Sequence, residues 1–168
     1  MPQLVIIDRD GVINENREQG VLRPQQLKPL PGSLEAIARL NHAGIRVAVI
    51  SGRPDTPEGQ IPIESMDSIH THLQQLLARR GGHIDAFFIA TDTVEEDTEA
   101  NLDAICDRFS TTPQQAVVIT TNPHLLENPK ATGIQAILVG TPSDNPVDDV
   151  HPHRSPDLVS ATDYLLTS

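Results

Sequence analysis

The sequence predicts an α/β fold in which helices cover a Rossmann-like, doubly wound parallel sheet. Short aliphatic runs alternate with stretches of helical periodicity, which is the pattern of parallel strands joined by helices. The core must be built from Val, Ile, Leu and Ala, because only 2% of residues are aromatic and none is Trp. The length of 168 residues suits one domain, so we expect a single domain over residues 1–168.

The periodicity of apolar residues places the individual elements. Strands are predicted over residues 4–7, 46–50, 86–89, 116–119 and 134–139. Helices are predicted over residues 33–41, 65–80, 101–109 and 124–132, the last interrupted by Pro129. Ser33 is expected to cap the first helix, and Gly44 is expected to end it.

Three segments are predicted to lie outside the helices and strands. Residues 14–29 form a long polar connector, and residues 53–62 hold three prolines and should be irregular. Both would leave the sheet near strand ends, where they could overhang a site. Residues 141–156 are proline-rich and predict an extended segment near the C-terminus.

Charge and cysteine content exclude several classes of protein. A formal net charge of −11 leaves no basic stripe for nucleic acid. One cysteine, Cys106, permits no internal disulfide and no cysteine-built zinc site, which is typical of a reducing cytoplasm. No apolar run approaches 18 residues and no N-terminal signal is present, so we expect a cytoplasmic protein without membrane contact. The sequence does not determine the oligomeric state.

The run Asp8-Arg9-Asp10-Gly11 follows the first predicted strand and is the strongest indication of chemistry. If the strand continued past Asp8, Asp8 and Asp10 would lie on one side, with Arg9 turned away. Gly11 would allow the backbone to turn sharply beside them. The alternative is a surface turn or a calcium loop whose carboxylates face water, although the return to apolar residues at Val12 disfavours a calcium loop.

Residues 4–51 resemble the opening third of the small phosphatases of the haloacid dehalogenase superfamily. The resemblance rests on residues 6–14, on Pro24 and Leu27, on residues 30–37 and on the Leu40-Asn41-x-x-Gly44 stretch. The branch most similar to it contains the histidinol-phosphate and heptose-bisphosphate phosphatases. This resemblance implies the superfamily's fold with a minimal cap or none.

The same resemblance implies a mechanism. Asp8 would be the nucleophile that forms an aspartyl phosphate, and Asp10 would act as general acid and then general base. A magnesium ion would bind to Asp8 and to the main-chain carbonyl of Asp10. The substrate would be a small phosphorylated metabolite, such as a sugar phosphate.

Further candidates for substrate binding are Gly11, Ser51, Gly52 and Arg53. By the resemblance, the Ser51 hydroxyl and the Gly52 amide would hold phosphate oxygens. The branch usually has Gln where Arg53 stands, and the Arg53 guanidinium is a planar fork suited to phosphate. Taken alone, Ser51-Gly52 is more typical of an ordinary turn after a strand, and only its position after the second predicted strand favours phosphate binding.

Later residues depart from the family pattern. Glu96 occupies the place of the family's lysine, and Thr120-Thr121 occupies the place of the Gly-Asp pair that completes the magnesium site, with Leu125 at a second acidic position. We therefore expect weakly bound magnesium and weak activity. Residues 90–97 contain no cysteine or histidine, so no zinc is expected there. His151 and His153 lack a third ligand, and His70 and His72 should not share a helix face.

Two functional hypotheses remain from the sequence. The first is a magnesium-dependent phosphatase, which depends on Asp8, Asp10, Gly11 and Ser51. The second is a catalytically inactive descendant that binds a phosphorylated ligand or a protein partner, which depends on the substitutions at Glu96, Thr121 and Leu125.

Overall fold

A computed structural model describes residues 1–90, 95–122, 133–140 and 153–167 of the chain. The helix predicted over residues 124–132 and most of the extended segment predicted over residues 141–156 lie outside these described residues, as do Leu125 and His151.

A parallel sheet of six strands forms the centre of the described structure. Its strands, in chain order, are β1 (Leu4–Asp8), β2 (Arg46–Gly52), β5 (Ala86–Ala90), β6 (Ala116–Thr120), β7 (Gln135–Val139) and β8 (Arg154–Ser155), and a separate hairpin pairs β3 (Asp55–Thr56) with β4 (Gly59–Gln60). The spatial order of the sheet is β5-β2-β1-β6-β7-β8. All five predicted strands are confirmed. The short edge strand β8 was not predicted, since two residues carry no periodicity.

Four helices are described: α1 (Ser33–His42), α2 (Ile63–Ala78), α3 (Glu95–Arg108) and α4 (Leu158–Thr167). Three were predicted, although α3 begins earlier than expected, and α4 was not. The prediction that Ser33 caps α1 is wrong. Gly32 occupies the cap position with φ 76°, and the Ser33 hydroxyl instead donates a 2.7 Å hydrogen bond to the Ile13 carbonyl. Ser33 thus ties α1 to the loop that follows β1.

The helices cover both faces of the sheet and divide the core into two layers. Helices α1, α2 and α4 pack on one face, where they contribute Ile37, Leu73 and Leu165 to a cluster with Ile7 and Val49. Helix α3 packs on the other face, with Leu102 and Ile105 against alternate strand residues. Alternating strand side chains fill the two layers because successive residues of a strand point to opposite faces.

The strand order determines where a site can form. The chain runs from β1 outward through β2 to β5 and then returns to β6 on the other side of β1, so the order reverses between β1 and β6. Ligands of open α/β sheets bind at such a switch point, beyond the carboxyl ends of the strands. The register pairs Ile7 with Ile119, which places Asp8 and Thr120 side by side at this edge.

Residues 53–62 contain the β3–β4 hairpin, so the expectation of a wholly irregular loop is wrong. The prolines lie outside the paired residues, with Pro57 in the turn between β3 and β4, so they do not prevent a two-residue ladder. Ile61 anchors the segment in the core, and Arg53 Nε donates a 2.8 Å hydrogen bond to the Ile61 carbonyl. Within the described parts of the chain, this hairpin is the only insert that has its own sheet. No helix in those parts is long and apolar enough to cross a membrane.

The connector over residues 14–29 packs directly on this segment through Gly20. Gly20 has φ +80°, and a Cβ placed on it would lie 2.8 Å from Pro54 Cγ. Gly44 has nearly the same φ, +82°, but a Cβ there would meet nothing within 4 Å. The two glycines therefore share one backbone requirement and differ in their surroundings.

We expect Gly20→Ala to destabilise the fold more than Gly44→Ala. Both substitutions place a side chain in the left-handed region, at a cost of about 1–2 kcal/mol. Only Gly20→Ala also forces a clash with Pro54, which adds about 1–3 kcal/mol. Urea unfolding of the two variants measures the difference. Equal midpoints would show that the connector does not press on Pro54.

Candidate active site

Asp8 ends β1 and is held from the neighbouring strand β6. Its Oδ2 accepts a short hydrogen bond from the Thr120 hydroxyl, and its carboxylate also accepts one from the Thr121 backbone N–H. Thr120 is fully buried, and its Oγ1 accepts the Asn122 amide at 3.0 Å, so its proton is directed to Asp8. In the sequence, Thr120 stands out only as a substitute for the family's glycine, and no sequence pattern predicts its contact with Asp8.

Burial dominates the titration of Asp8. Desolvation raises its pKa from 3.8 to about 6, and the neighbouring charge of Asp10 adds to the rise. The hydrogen bonds from Thr120 and Thr121 act in the opposite direction, because they stabilise the carboxylate. The Asp8 carboxylate is thus ionised at neutral pH but poorly solvated. A poorly solvated carboxylate is stabilised by a nearby cation, and it is also more reactive toward an electrophile.

Asp10 is fixed by three donor groups on two residues of its own loop. Arg9 Nε donates to Asp10 Oδ1 at 3.1 Å, and Arg9 Nη2 donates to Asp10 Oδ2 at 3.3 Å. Asn14 Nδ2 donates to the same Oδ1 at 2.9 Å. The Asp10 side chain stays 26% exposed. Arg9 and Asn14 therefore orient its carboxylate while part of it remains accessible to solvent or a ligand.

The prediction that Arg9 turns away from the two aspartates is wrong for its guanidinium. Arg9 is fully buried, and its side chain returns to pair with Asp10. A buried charge must be paired and hydrogen-bonded, and this requirement outweighs strand alternation, which in any case ends with β1 at Asp8. Asp10 therefore has a cation beside it that the sequence pattern did not predict.

A tight loop after β1 brings these groups together. The Arg9 carbonyl accepts the amides of Ile13 and Asn14, and Gly11 turns the chain with φ +86°. A Cβ on Gly11 would lie 3.3 Å from Thr121 Cγ2, so glycine lets the loop approach the end of β6. The sharp turn expected at Gly11 is confirmed.

A cavity of about 340 Å³ opens in front of Asp10. Besides Asp10, its lining consists of Gly52 at the end of β2 and of residues from the two segments 14–29 and 53–62: Glu18, Gln19, Gly20, Arg53, Pro54 and Asp55. Both segments, either of which was expected to be able to overhang a site, contribute residues to this lining. Of the predicted substrate-binding residues, Gly52 and Arg53 line this cavity. Asp8, Gly11 and Ser51 are not among its lining residues.

Ser51 is nearly buried at the end of β2 and contacts a histidine that sequence analysis did not select. Ser51 Oγ lies 3.3 Å from His70 Nε2, and Arg9 Nη1 lies 3.0 Å from the same nitrogen. His70 and His72 occupy different faces of α2, as predicted: His70 is buried, and His72 lines a separate shallow cavity beside Pro24. The signal for His70 was its spacing of three residues from Leu73, which places it on the buried face.

The oxygen donors present fit a hard cation only partly. Asp8 is an ionised carboxylate whose burial is not fully compensated, and the main-chain carbonyl of Asp10 lies two residues on. The family resemblance predicts a metal-binding aspartate at the position of Thr121, whose side chain carries no charge. Among the described side chains, no three His, Cys, Asp or Glu residues cluster closely enough to hold a metal. These donors would offer a divalent cation few anionic ligands.

Curated relatives of this chain are sugar-phosphate phosphatases. No family model matches the chain. It is 29% identical over 145 residues to a D-glycero-beta-D-manno-heptose-1,7-bisphosphate 7-phosphatase of Pseudomonas putida, covering 83% of each sequence. It is 25% identical over 170 residues to the protein of the same name from Neisseria meningitidis, covering 98% of this chain and 91% of the relative.

Solved structures of heptose-bisphosphate phosphatases also superimpose on this chain. The D,D-heptose 1,7-bisphosphate phosphatase of Burkholderia thailandensis superimposes with a TM-score of 0.75 at 31% identity, covering 99% of both chains. The corresponding protein of B. bronchiseptica, complexed with magnesium and phosphate, superimposes with a TM-score of 0.83 at 25% identity, covering 98% of both chains.

Proposed function

Because this chain belongs to the haloacid dehalogenase superfamily, within its phosphatases, we propose that it hydrolyses a small sugar phosphate through an aspartyl phosphate on Asp8. The observation that carries the proposal is the pair of carboxylates at the end of β1. Asp8 is ionised, half-buried and held by Thr120, while Asp10 is oriented by Arg9 and lines the cavity.

In the first step, an Asp8 oxygen attacks phosphorus and the bond from phosphorus to the substrate oxygen breaks. Asp10 gives its proton to that leaving oxygen. In the second step, Asp10 takes a proton from water, the water oxygen attacks phosphorus, and Asp8 is released with inorganic phosphate. Bound magnesium would neutralise charge between the Asp8 carboxylate and the phosphate.

Residues at the carboxyl end of β2 would hold the phosphate oxygens. The Ser51 hydroxyl and the Gly52 amide are hydrogen-bond donors, and a Cβ on Gly52 would meet nothing within 4 Å, so a ligand can approach its backbone. Arg53 uses its Nε for the Ile61 carbonyl, which fixes the guanidinium at the cavity. Its terminal nitrogens would then bind phosphate.

The substrate class proposed is a heptose bisphosphate or a related sugar phosphate. The relatives from Pseudomonas putida and Neisseria meningitidis are named for heptose-1,7-bisphosphate. A cavity of about 340 Å³ has room for a sugar ring, and the carboxylates of Glu18 and Asp55 at its wall can accept hydrogen bonds from sugar hydroxyls. We place the activity in the cytoplasm, as the single cysteine suggests. The named relatives favour this enzyme over the non-catalytic alternative.

The test is phosphate release from heptose 1,7-bisphosphate and from hexose monophosphates, with magnesium and with excess EDTA. We expect hydrolysis that saturates with magnesium, needs a high concentration because ligands are few, and stops with EDTA. Asp10→Asn should retain magnesium dependence but lose most turnover. Absence of hydrolysis on every sugar phosphate at saturating magnesium would contradict the proposal.

A further inference from the structure

The guanidinium of Arg9 is held at both ends inside the protein. Its Nε and Nη2 face the carboxylate of Asp10, at 3.1 and 3.3 Å, and its Nη1 faces His70 Nε2, at 3.0 Å. Arg9 is fully buried, and His70 is 7% exposed. The group that orients Asp10 is thus itself fixed by a histidine on α2, far away in the sequence.

Hydrogen-bond chemistry determines the state of His70. Arginine is always a donor, so Nε2 must accept, and His70 must be the neutral tautomer with its proton on Nδ1. Burial, together with the positive charge of Arg9, lowers the pKa of His70 to about 4, while Asp10 acts in the opposite direction. The ring is stacked on Phe87 with centroids 4.1 Å apart and planes within 6°. This stacking fixes the plane of the imidazole, so the lone pair of Nε2 points in one direction, toward Arg9 Nη1.

The same lone pair decides what the Ser51 hydroxyl can do. Ser51 Oγ lies 3.3 Å from Nε2, a longer contact than the 3.0 Å contact of Arg9. Since Nε2 has one lone pair and Arg9 occupies it, the Ser51 proton is left for another acceptor, such as a phosphate oxygen. His70 thereby accepts a hydrogen bond from Arg9 and leaves the proton of the Ser51 hydroxyl available to the substrate.

We propose that His70 is a positioning residue for hydrolysis, which fixes Arg9 so that Arg9 holds the Asp10 carboxylate toward the leaving group. The inference rests on the proposed function. His70 does not touch the substrate. Without its nitrogen, Arg9 Nη1 is a buried donor with no acceptor, so the guanidinium would turn and release one oxygen of Asp10.

The experiment compares His70→Leu, His70→Gln and His72→Leu in steady-state hydrolysis. We expect His70→Leu to lower kcat by about tenfold with little change in KM, since misplacing a catalytic group costs turnover rather than binding. His70→Gln keeps an acceptor for Arg9 and should restore most of the turnover. His72→Leu is the matched control on the other face of the same helix and should behave as wild type.

A second measurement needs neither a variant nor activity. In wild-type protein, ¹⁵N NMR of the imidazole should show His70 neutral, with an unprotonated Nε2, from pH 8 down to pH 5. Titration of His70 near its ordinary value would overturn the inference, because Arg9 could not then be its donor. Normal kcat in His70→Leu, or no rescue by His70→Gln, would overturn the positioning role while leaving the proposed function intact. Wild-type protein without any hydrolysis would overturn both.

Discussion

Replacing Asp8 with asparagine is expected to lower phosphate release at least a thousandfold while making the metal-free protein more stable at pH 7. An amide cannot form the acyl phosphate, so the loss reflects removal of the nucleophile itself. The gain in stability follows from the burial of Asp8, whose ionised form is held in the fold against its desolvation. Opposite effects on turnover and stability distinguish a functional carboxylate from a structural one.

The pH dependence of this gain has a defined sign. The pKa of Asp8 is 3.8 when solvated and about 6 in the fold, so folding favours the protonated form. The destabilisation by ionised Asp8 is absent below about pH 4, grows between pH 4 and 6, and is complete above pH 6. At about 1.4 kcal/mol per pKa unit, and allowing for the partial exposure of Asp8, it amounts to about 2 kcal/mol.

Urea unfolding at pH 4 and pH 7.5, in EDTA, measures this difference. Asp8→Asn should be the more stable protein at pH 7.5 and equal to wild type near pH 4. Asp67→Asn removes an exposed carboxylate of α2 and is the control, with little effect at either pH. A less stable Asp8→Asn protein at pH 7.5 would mean that Asp8 is a structural anchor for Thr120.

Replacing Thr121 with aspartate is expected to tighten magnesium binding by about 10- to 100-fold. Thr121 stands where the resembling phosphatases carry an aspartate, and its backbone amide already bonds to the Asp8 carboxylate. Its side chain lies beside the Gly11 turn, at the same edge of the sheet. A second carboxylate there supplies the anionic oxygen that a hard cation prefers, and even indirect partners change metal affinity by about this factor.

Magnesium titrations followed by calorimetry and by phosphate release measure this gain. The same variant should be less stable than wild type in EDTA, because a second carboxylate would face ionised Asp8 without a cation. Thr121→Asn adds an oxygen donor of the same size without charge and is the matched control. Unchanged magnesium affinity in Thr121→Asp would show that the cation does not approach this end of β6.

The carboxylates of the site could be predicted from the sequence because their signal is local. Asp8 follows four aliphatic residues that form a buried strand, and the carboxyl ends of such strands are where α/β sheets bind ligands. Gly11 predicted the turn for a similar reason, since only the residue itself determines whether a positive φ is tolerated. The alternation of strands and helices predicted the sheet, although it did not predict helix α4.

The partners of those carboxylates could not be predicted in the same way. Thr120 reaches Asp8 only because the strand order places β6 beside β1, and no spacing in the sequence encodes that neighbour. His70 meets Arg9 only because α2 packs on the face that covers the end of β1. Strand alternation predicted that Arg9 turns away from the two aspartates. Its guanidinium instead pairs with Asp10, because a buried charge needs a partner.

The sequence by itself determined the fold class, the two aspartates and the turn that presents them, because each depends on residues adjacent along the chain. Only the tertiary structure decided what surrounds them: the hydroxyl of Thr120, the buried pair of Arg9 and His70, and the cavity between the connector and the hairpin. These contacts depend on which elements become neighbours when the apolar faces are buried. The cost of an unpaired buried charge then fixes the side chains in place.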